Sequence, residues 1–126
     1  MPEDNTFYGN IDKNARIWGM LCHLTALLGI IGIPLGHLFG PLTVWLLKRS
    51  SYPFVREQGI ESLNFQLSMT LYIALAAAFL YFTKIGLGMI LILIMAPVNA
   101  LLVIIASVRA YNGETYAYPL KIRFIK

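Results

Sequence analysis

Three long stretches without a charged side chain constrain what this chain can fold into. They cover 31 residues from Ile17 to Leu47, 22 residues from Ser62 to Thr83 and 24 residues from Ile85 to Val108. A helix needs roughly 20 apolar residues to cross about 30 Å of hydrocarbon. Composition agrees, since 58% of the residues are hydrophobic and 13% are charged, against about 45–50% and about 25% in soluble domains. The sequence therefore predicts an integral membrane protein.

The first stretch is too long for a single crossing. As one straight helix, its 31 residues would measure about 46 Å. The part from Gly29 to Pro41 contains four glycines and two prolines, which make a continuous helix costly. We therefore expect a helical hairpin with a first arm over 15–31. The second arm, from about Pro41 to Arg49, is too short to span, so it either begins nearer Pro34 or re-enters the membrane.

The basic residues test this hairpin independently, because Lys and Arg accumulate on the cytoplasmic side of a membrane. With a hairpin, nine of the ten basic residues share one side and Lys84 alone lies on the other. With a single crossing, the split becomes seven to three. The charge distribution therefore favours the hairpin and predicts that both termini face the cytoplasm.

The rest of the chain predicts two long helices and an extended end. The third helix runs from near Phe54 to about Phe82, and the fourth from about Leu87 to Tyr111, where Asn112-Gly113 is a strong stop signal. Apolar and basic residues then alternate from Leu120 to Lys126. This pattern suits an extended segment on the membrane surface, with its basic side toward anionic headgroups.

The predicted fold class is an all-α membrane protein, a polytopic bundle of four helices. The first two helices form the hairpin, whose second arm is short or re-entrant. We predict three regions along the chain: a cytoplasmic N-terminal tail over 1–14, a transmembrane helical domain over 15–111, and a cytoplasmic, interfacial C-terminal segment over 112–126.

Polar residues recur along the third helix. Glu57, Glu61, Asn64 and Ser68 follow one another at spacings of four, three and four, which places them on one face. Polar side chains in hydrocarbon need partners, so this face meets either neighbouring helices or a water-filled groove. The candidate cluster of polar intramembrane or interfacial residues is His23, Arg56, Glu57, Glu61, Asn64, Gln66 and Asn99.

Two members of this cluster lie outside the third helix. His23 is expected to be buried and hydrogen-bonded to that helix; a proton-relay or metal-ligating role is the lesser alternative. Asn99 follows Pro97, so it either bridges the backbone disturbed by the proline or contacts a neighbouring helix. No ligand spacing, Walker loop or nucleophile motif occurs, so no catalytic residue, cofactor or metal is predicted.

Several short motifs resemble a known family. The resemblance covers about Ala15 to Ile125 and is most specific at Asn64-Phe65-Gln66 and over 112–120. Its further parts are Trp18 with His23, Gly40-Pro41-Leu42 with Trp45 and Lys48, Pro53-Phe54-Val55-Arg56-Glu57, Glu61-Ser62-Leu63, and Ala110-Tyr111-Asn112-Gly113-Glu114 with Tyr118-Pro119-Leu120. They resemble the Tic-twenty-like family of small bacterial four-helix membrane proteins. The resemblance implies four helices and little about activity.

These observations predict a small multi-pass protein of the bacterial cytoplasmic (inner) membrane. It is expected to be non-enzymatic and to bind membrane lipids and other membrane proteins or further copies of itself. The alternative is a channel or translocation subunit with a polar path along the third helix. Nucleic acid is not an expected partner, because the basic residues flank apolar runs and form no single soluble face.

Overall fold

The computed structural model of the chain describes residues 11–126, and within that range it contains four α-helices and no strand. This confirms the all-α class and the number of helices. The helices are α1 (Lys13–Leu24), which continues into a 3-10 helix (Thr25–Gly29), α2 (Gly36–Lys48), α3 (Pro53–Thr83) and α4 (Leu87–Tyr111). Among the described residues, α3 and α4 are the two helices long and apolar enough to cross a membrane.

The hairpin differs from its predicted bounds at α2. This helix begins at Gly36, five residues before the expected start at Pro41 and close to the alternative near Pro34. Pro41 lies inside the helix, where it costs one backbone hydrogen bond. A Cβ on Gly40 would lie 2.4 Å from the carbonyl oxygen of Thr25. The two arms therefore pack at backbone distance, a tertiary contact that local helix rules do not anticipate.

The hairpin stops well before the far end of the two long helices. Its turn lies beside the middle of α3 and α4, because Gly29 and Ile30 share a cavity with Ile73 and Met95. From Ile73, α3 continues ten residues to Thr83, or about 15 Å at the α-helical rise. Along that final length α3 and α4 pack against each other, and Leu120 of the C-terminal segment reaches their surface beside Leu75 and Phe79.

The fold thus has two parts along its long axis. We call the part containing the hairpin the proximal half and the remainder the distal half. The proximal half comprises α1, the 3-10 helix, α2, residues 53–70 of α3, residues 99–111 of α4 and residues 114–126; the distal half comprises residues 71–83 and 87–98. Nearly all buried side chains lie in the proximal half, whereas Ala76 and Gly88 are the buried residues of the distal half.

Small residues set how closely the helices approach in both halves. A Cβ on Gly59 of α3 would lie 2.1 Å from Cδ1 of Trp45, so the indole of α2 lies directly on the α3 backbone. A Cβ on Gly88 of α4 would lie 2.8 Å from the carbonyl oxygen of Ala76. The helix crossings therefore depend on these glycines.

The C-terminal segment, which the alternating pattern predicts to be extended at the membrane surface, packs along α3. It runs down α3, turns at Pro119-Leu120, where Leu120 has φ +61°, and returns toward the start of α3. Side chains of α3 hydrogen-bond its backbone, which gives the extended chain the partners that it cannot supply itself. Its predicted location on the cytoplasmic side stays a prediction.

Candidate functional site

A buried hydrogen-bond chain links α1, α3 and the C-terminal segment. His23 is fully buried; its Nδ1 lies 2.7 Å from the hydroxyl of Tyr118, and its Nε2 lies 2.6 Å from Oε1 of Gln58. The amide nitrogen of Gln58 donates to the carbonyl of Glu114 at 3.1 Å. Because the Gln58 oxygen only accepts, Nε2 of His23 carries the proton and Nδ1 accepts from Tyr118.

This chain fixes one neutral tautomer of His23. Both ring nitrogens have hydrogen-bond partners, and one of them, Gln58, lies on α3. Tyr118 is 3% exposed, and its ring stacks on Phe65 with 4.1 Å between centroids. Burial raises the pKa of Tyr118 well above its usual value, so its hydroxyl remains a donor to His23.

Three side chains along α3 hold the backbone of the C-terminal segment. Asn64 makes a two-way contact with Ile125, donating to its carbonyl at 2.9 Å and accepting from its N–H at 2.7 Å. Ser68 accepts from the N–H of Ile122 at 2.6 Å. Tyr72 donates to the carbonyl of Leu120. The α3 face predicted to be polar is therefore a binding groove, and the chain's own C-terminal segment fills it.

An ion pair fastens the same segment. Lys121 bonds Oε1 of Glu61, and both side chains are about four-fifths removed from solvent. A second pair joins Arg109 at the end of α4 to Glu114 at 3.5 Å, but both side chains are about half exposed. Exposed pairs contribute little, so Glu61–Lys121 is the more important of the two.

A second polar contact lies deeper, between α3 and α4. Gln66 and Asn99 form a reciprocal amide pair, with both N···O distances 3.0 Å. Asn99 therefore bonds the neighbouring helix, one of its two predicted roles. Thr70 donates to the carbonyl of Gln66 at 2.8 Å and accepts from Nε2 of His37 at 2.8 Å. These contacts connect the start of α2, through His37, to the place where α3 and α4 cross.

The structure separates the candidate cluster into distinct places. His23 belongs to the buried chain, Glu61 and Asn64 to the groove, and Gln66 and Asn99 to the amide pair. The side chains of Arg56 and Glu57 are exposed at the start of α3 and join none of these contacts. The predicted cluster is therefore not one site.

Three important residues were missing from the predicted cluster. Gln58 and Tyr72 extend the polar face of α3, and a consistent count at spacings of three and four from Gln58 to Tyr72 would have included them. Tyr118 lies in the C-terminal segment, and tyrosines are also common at membrane interfaces. No local signal in the sequence distinguishes an interfacial tyrosine from one that completes a buried hydrogen-bond chain.

The described residues contain no group of three or more His, Cys, Asp or Glu side chains placed to hold a metal ion. The polar side chains instead bond helices and the C-terminal segment together. Chemically, the arrangement binds an extended backbone and presents nine basic side chains at the proximal end. That end gathers the start of α1, the end of α2, the start of α3 and the end of α4.

A protein-family model matches residues 14–125, almost the whole chain. The chain belongs to the magnetosome magnetite crystal formation protein family (MamF/MmsF). Comparison with curated proteins and with solved structures found no match. Membership of this magnetosome family, together with two helices apolar enough to cross a bilayer, indicates a membrane protein.

The match corrects the assignment suggested by the sequence motifs. The resemblance to the Tic-twenty-like family was wrong, because the family model that covers the chain is that of the magnetosome family. The motifs behind the resemblance are mostly helix-packing and capping elements. Asn64 pairs with Ile125, and Gln66 with Asn99, while Gly113, at φ +82°, ends α4. Contacts of this kind serve the packing of the fold, and a likeness in fold alone does not identify the family.

Proposed function

We propose that this protein is a non-enzymatic structural component of the magnetosome membrane, where it supports magnetite crystal formation by binding lipids and other membrane proteins. Helices α3 and α4 cross the bilayer. The α1–α2 hairpin enters from the proximal side and turns back inside the membrane. Both termini and nine of the ten basic residues face the cytoplasm, and the α3–α4 turn with Lys84 faces the opposite side.

The exposed apolar surface of the distal half supports the two crossings. Phe82, Leu93 and Ile94 are 80%, 66% and 53% exposed. Contiguous apolar surface of this kind on a monomer marks contact with a membrane or a partner. Their helices contain no charged residue from Ser62 to Thr83 or from Ile85 to Val108, so hydrocarbon is the environment that solvates them at least cost.

The shape of the hairpin supports re-entry. Gly29 and Ile30, at the start of its turn, lie level with Ile73 of α3, about 15 Å from Thr83, roughly half the thickness of the hydrocarbon core. Ile31 at the turn is 72% exposed. The N–H groups of Ile30, Ile31 and Ile33 bond the carbonyls of Leu27 and Leu28 in the preceding 3-10 helix, at 2.9, 3.4 and 3.2 Å. Satisfied donors are what a turn needs in a bilayer.

The observation that carries the structural role is that Asn64, Gln66 and Ser68, three buried polar side chains of α3, are hydrogen-bonded within the chain. Asn64 and Ser68 hold the C-terminal segment, and Gln66 pairs with Asn99. A channel would leave such groups facing water. The bonded arrangement therefore favours a structural component over the translocation path that the sequence left open.

Cysteine labelling of cells tests the topology. In a Cys22→Ser background, single cysteines replace Lys84, Ile31 and Asn99, and membranes are treated with a membrane-impermeant thiol reagent from each side. We expect Lys84→Cys to react from the side opposite the termini, because it lies in the outer turn. Ile31→Cys and Asn99→Cys should remain unreactive from that side, the first because the hairpin stops inside the bilayer and the second because no water path reaches the amide pair.

Two results would contradict the proposal. Reaction of Ile31→Cys from the same side as Lys84→Cys would make α1 and α2 full crossings. Rapid reaction of Asn99→Cys with a small hydrophilic reagent, together with solute flux in reconstituted vesicles, would establish a channel. The role in crystal formation is tested by deleting the gene and measuring crystal size with and without the wild-type chain; unchanged crystals would overturn that role.

A further inference from the structure

We propose that a basic pocket between α2 and α3 binds the phosphate headgroup of an anionic phospholipid. The inference rests on the proposed membrane placement, which puts the proximal end at the level of the cytoplasmic headgroups. The pocket has a volume of about 530 Å³, within the range of about 300–1,000 Å³ usual for small-molecule sites. Its walls include Trp45, Arg49, Ser50, Arg56, Ile125 and Lys126.

The charged side chains that line the pocket are all basic. Arg49, Arg56 and Lys126 line it, and no acidic residue does. The ion pairs of the described chain are Arg109–Glu114 and Lys121–Glu61, so the three basic groups of the pocket have no carboxylate partner within residues 11–126. Guanidinium groups bind phosphate oxygens with paired, charge-assisted hydrogen bonds, and the Ser50 hydroxyl can add another.

Trp45 contacts the Arg49 side chain and the backbone of Arg56. Its indole N–H donates to the carbonyl of Arg56 at 3.2 Å, and the guanidinium of Arg49 lies 4.5 Å from its ring centroid. The indole itself rests on Gly59, where any side chain would collide with it. Trp45 thus joins the segment after α2, which carries Arg49, to the start of α3, which carries Arg56. Tryptophan in this position is typical of the membrane interface.

The C-terminal segment supplies the remaining wall. Ile125 and Lys126 line the pocket, and Ile125 is held by the two-way contact with Asn64. The position of Lys126 therefore depends on a docked C-terminal segment. The groove on α3 and the basic pocket are consequently coupled, because release of the segment removes one of the three positive charges.

Nearby apolar surface favours a lipid over free phosphate as the ligand. Leu46 and Leu47, next to Trp45 on α2, are 51% and 66% exposed, and Phe124 beside Ile125 is 51% exposed. A phospholipid matches this combination, with its phosphate in the pocket and its acyl chains against the apolar side chains. Basic pockets between helices at the cytoplasmic face are typical sites for anionic headgroups.

Native mass spectrometry of the full chain in mild detergent tests the proposal. Phosphatidylglycerol and phosphatidylcholine with identical acyl chains serve as probes, and we expect one retained phosphatidylglycerol per chain. Arg49→Gln/Arg56→Gln should weaken retention roughly 25-fold, at roughly fivefold for each basic residue near an anionic surface. The matched control Lys13→Gln/Arg123→Gln removes two exposed charges from the same end outside the pocket, and its retention should change less than about twofold.

A second variant tests the coupling to the groove. Asn64→Leu should weaken retention roughly fivefold, the effect of losing Lys126 alone. Equal losses in the pocket variant and its matched control would overturn the proposal in favour of diffuse attraction. Displacement of the lipid by inorganic phosphate at equal concentration would overturn it in favour of a soluble ligand. Correct labelling of Lys84→Cys in the pocket variant shows that insertion is intact, so loss of the lipid site and failure of the membrane topology are distinguishable.

Discussion

The proximal and distal halves of this small protein are stabilised in opposite ways. In the proximal half, His23, Gln58 and Asn64 are each 0–1% exposed, and all are hydrogen-bonded. In the distal half, residues such as Leu93 and Phe82 are more than 60% exposed, and the contact between α3 and α4 relies on Ala76 and Gly88. One half buries polar groups, and the other exposes apolar ones.

The difference shows which surroundings each half requires. Burying a polar group is costly unless it is bonded, so the proximal half is specified by a connected set of partners. Exposing apolar side chains is costly in water, but lipid tails remove that cost. The distal half therefore needs few internal contacts, provided that hydrocarbon surrounds it. Each experiment below changes one of these conditions.

The largest effect is expected from a charge placed in the distal half. Leu93→Lys should impair insertion or destabilise the protein by about 2.5–3.5 kcal/mol, the cost of a lysine at the centre of a membrane helix. Ile122→Lys is the matched control, because Ile122 is an exposed apolar residue of the proximal half, and its effect should stay within about 0.5 kcal/mol. Yield in the membrane fraction and thermal unfolding in detergent measure both. A well-tolerated Leu93→Lys would place the distal half in water.

An intermediate effect is expected at the buried chain. His23→Leu leaves the Gln58 oxygen and the Tyr118 hydroxyl without their partner, and each unsatisfied buried group costs about 1–3 kcal/mol. Thr25→Val is the control, since Thr25 bonds only the carbonyl of Leu21 within its own helix turn. Denaturant titration in detergent should separate the two variants clearly. Equal stability would mean that water replaces the histidine and that the chain is not tightly closed.

The smallest effect is expected at the amide pair, which lies at the boundary between the halves. A double-mutant cycle with Gln66→Leu and Asn99→Leu should give a coupling of about 0.6 kcal/mol, the average for hydrogen bonds between membrane helices. The distant pair Gln66→Leu and Thr83→Val should be additive within about 0.5 kcal/mol. A coupling near zero would show that each amide finds another partner when the first is removed.

Most of the fold could be predicted because helices in membranes follow local rules. The sequence predicts α4 from about Leu87 to Tyr111, before the stop at Asn112-Gly113, and these are its observed ends. It predicts the start of α3 near Phe54, next to the observed start at Pro53. Helix α2 begins at Gly36 and not at the predicted Pro41, because the close packing of Gly40 on Thr25 outweighs the backbone hydrogen bond lost at Pro41. Tertiary packing overrides propensity where two backbones meet.

The candidate site was less predictable. Helical spacing placed Asn64 and Ser68 on one face of α3, but spacing does not name a partner. Their partners, Ile125 and Ile122, are more than 50 positions away along the chain. The alternation from Leu120 to Lys126 was interpreted as a surface strip, since an extended segment has the same period on a membrane and in a groove.

The sequence by itself determined the helical class, the number of helices and the placement of basic residues beside the apolar runs. It could do so because each residue's preference for water or hydrocarbon is a property of that residue alone. Only the tertiary structure decided what the polar residues do. Hydrogen bonds require two groups within about 3 Å at a suitable angle. Whether His23 meets Gln58 and Tyr118, or Arg49 comes to lie beside Arg56, depends on how separate helices pack.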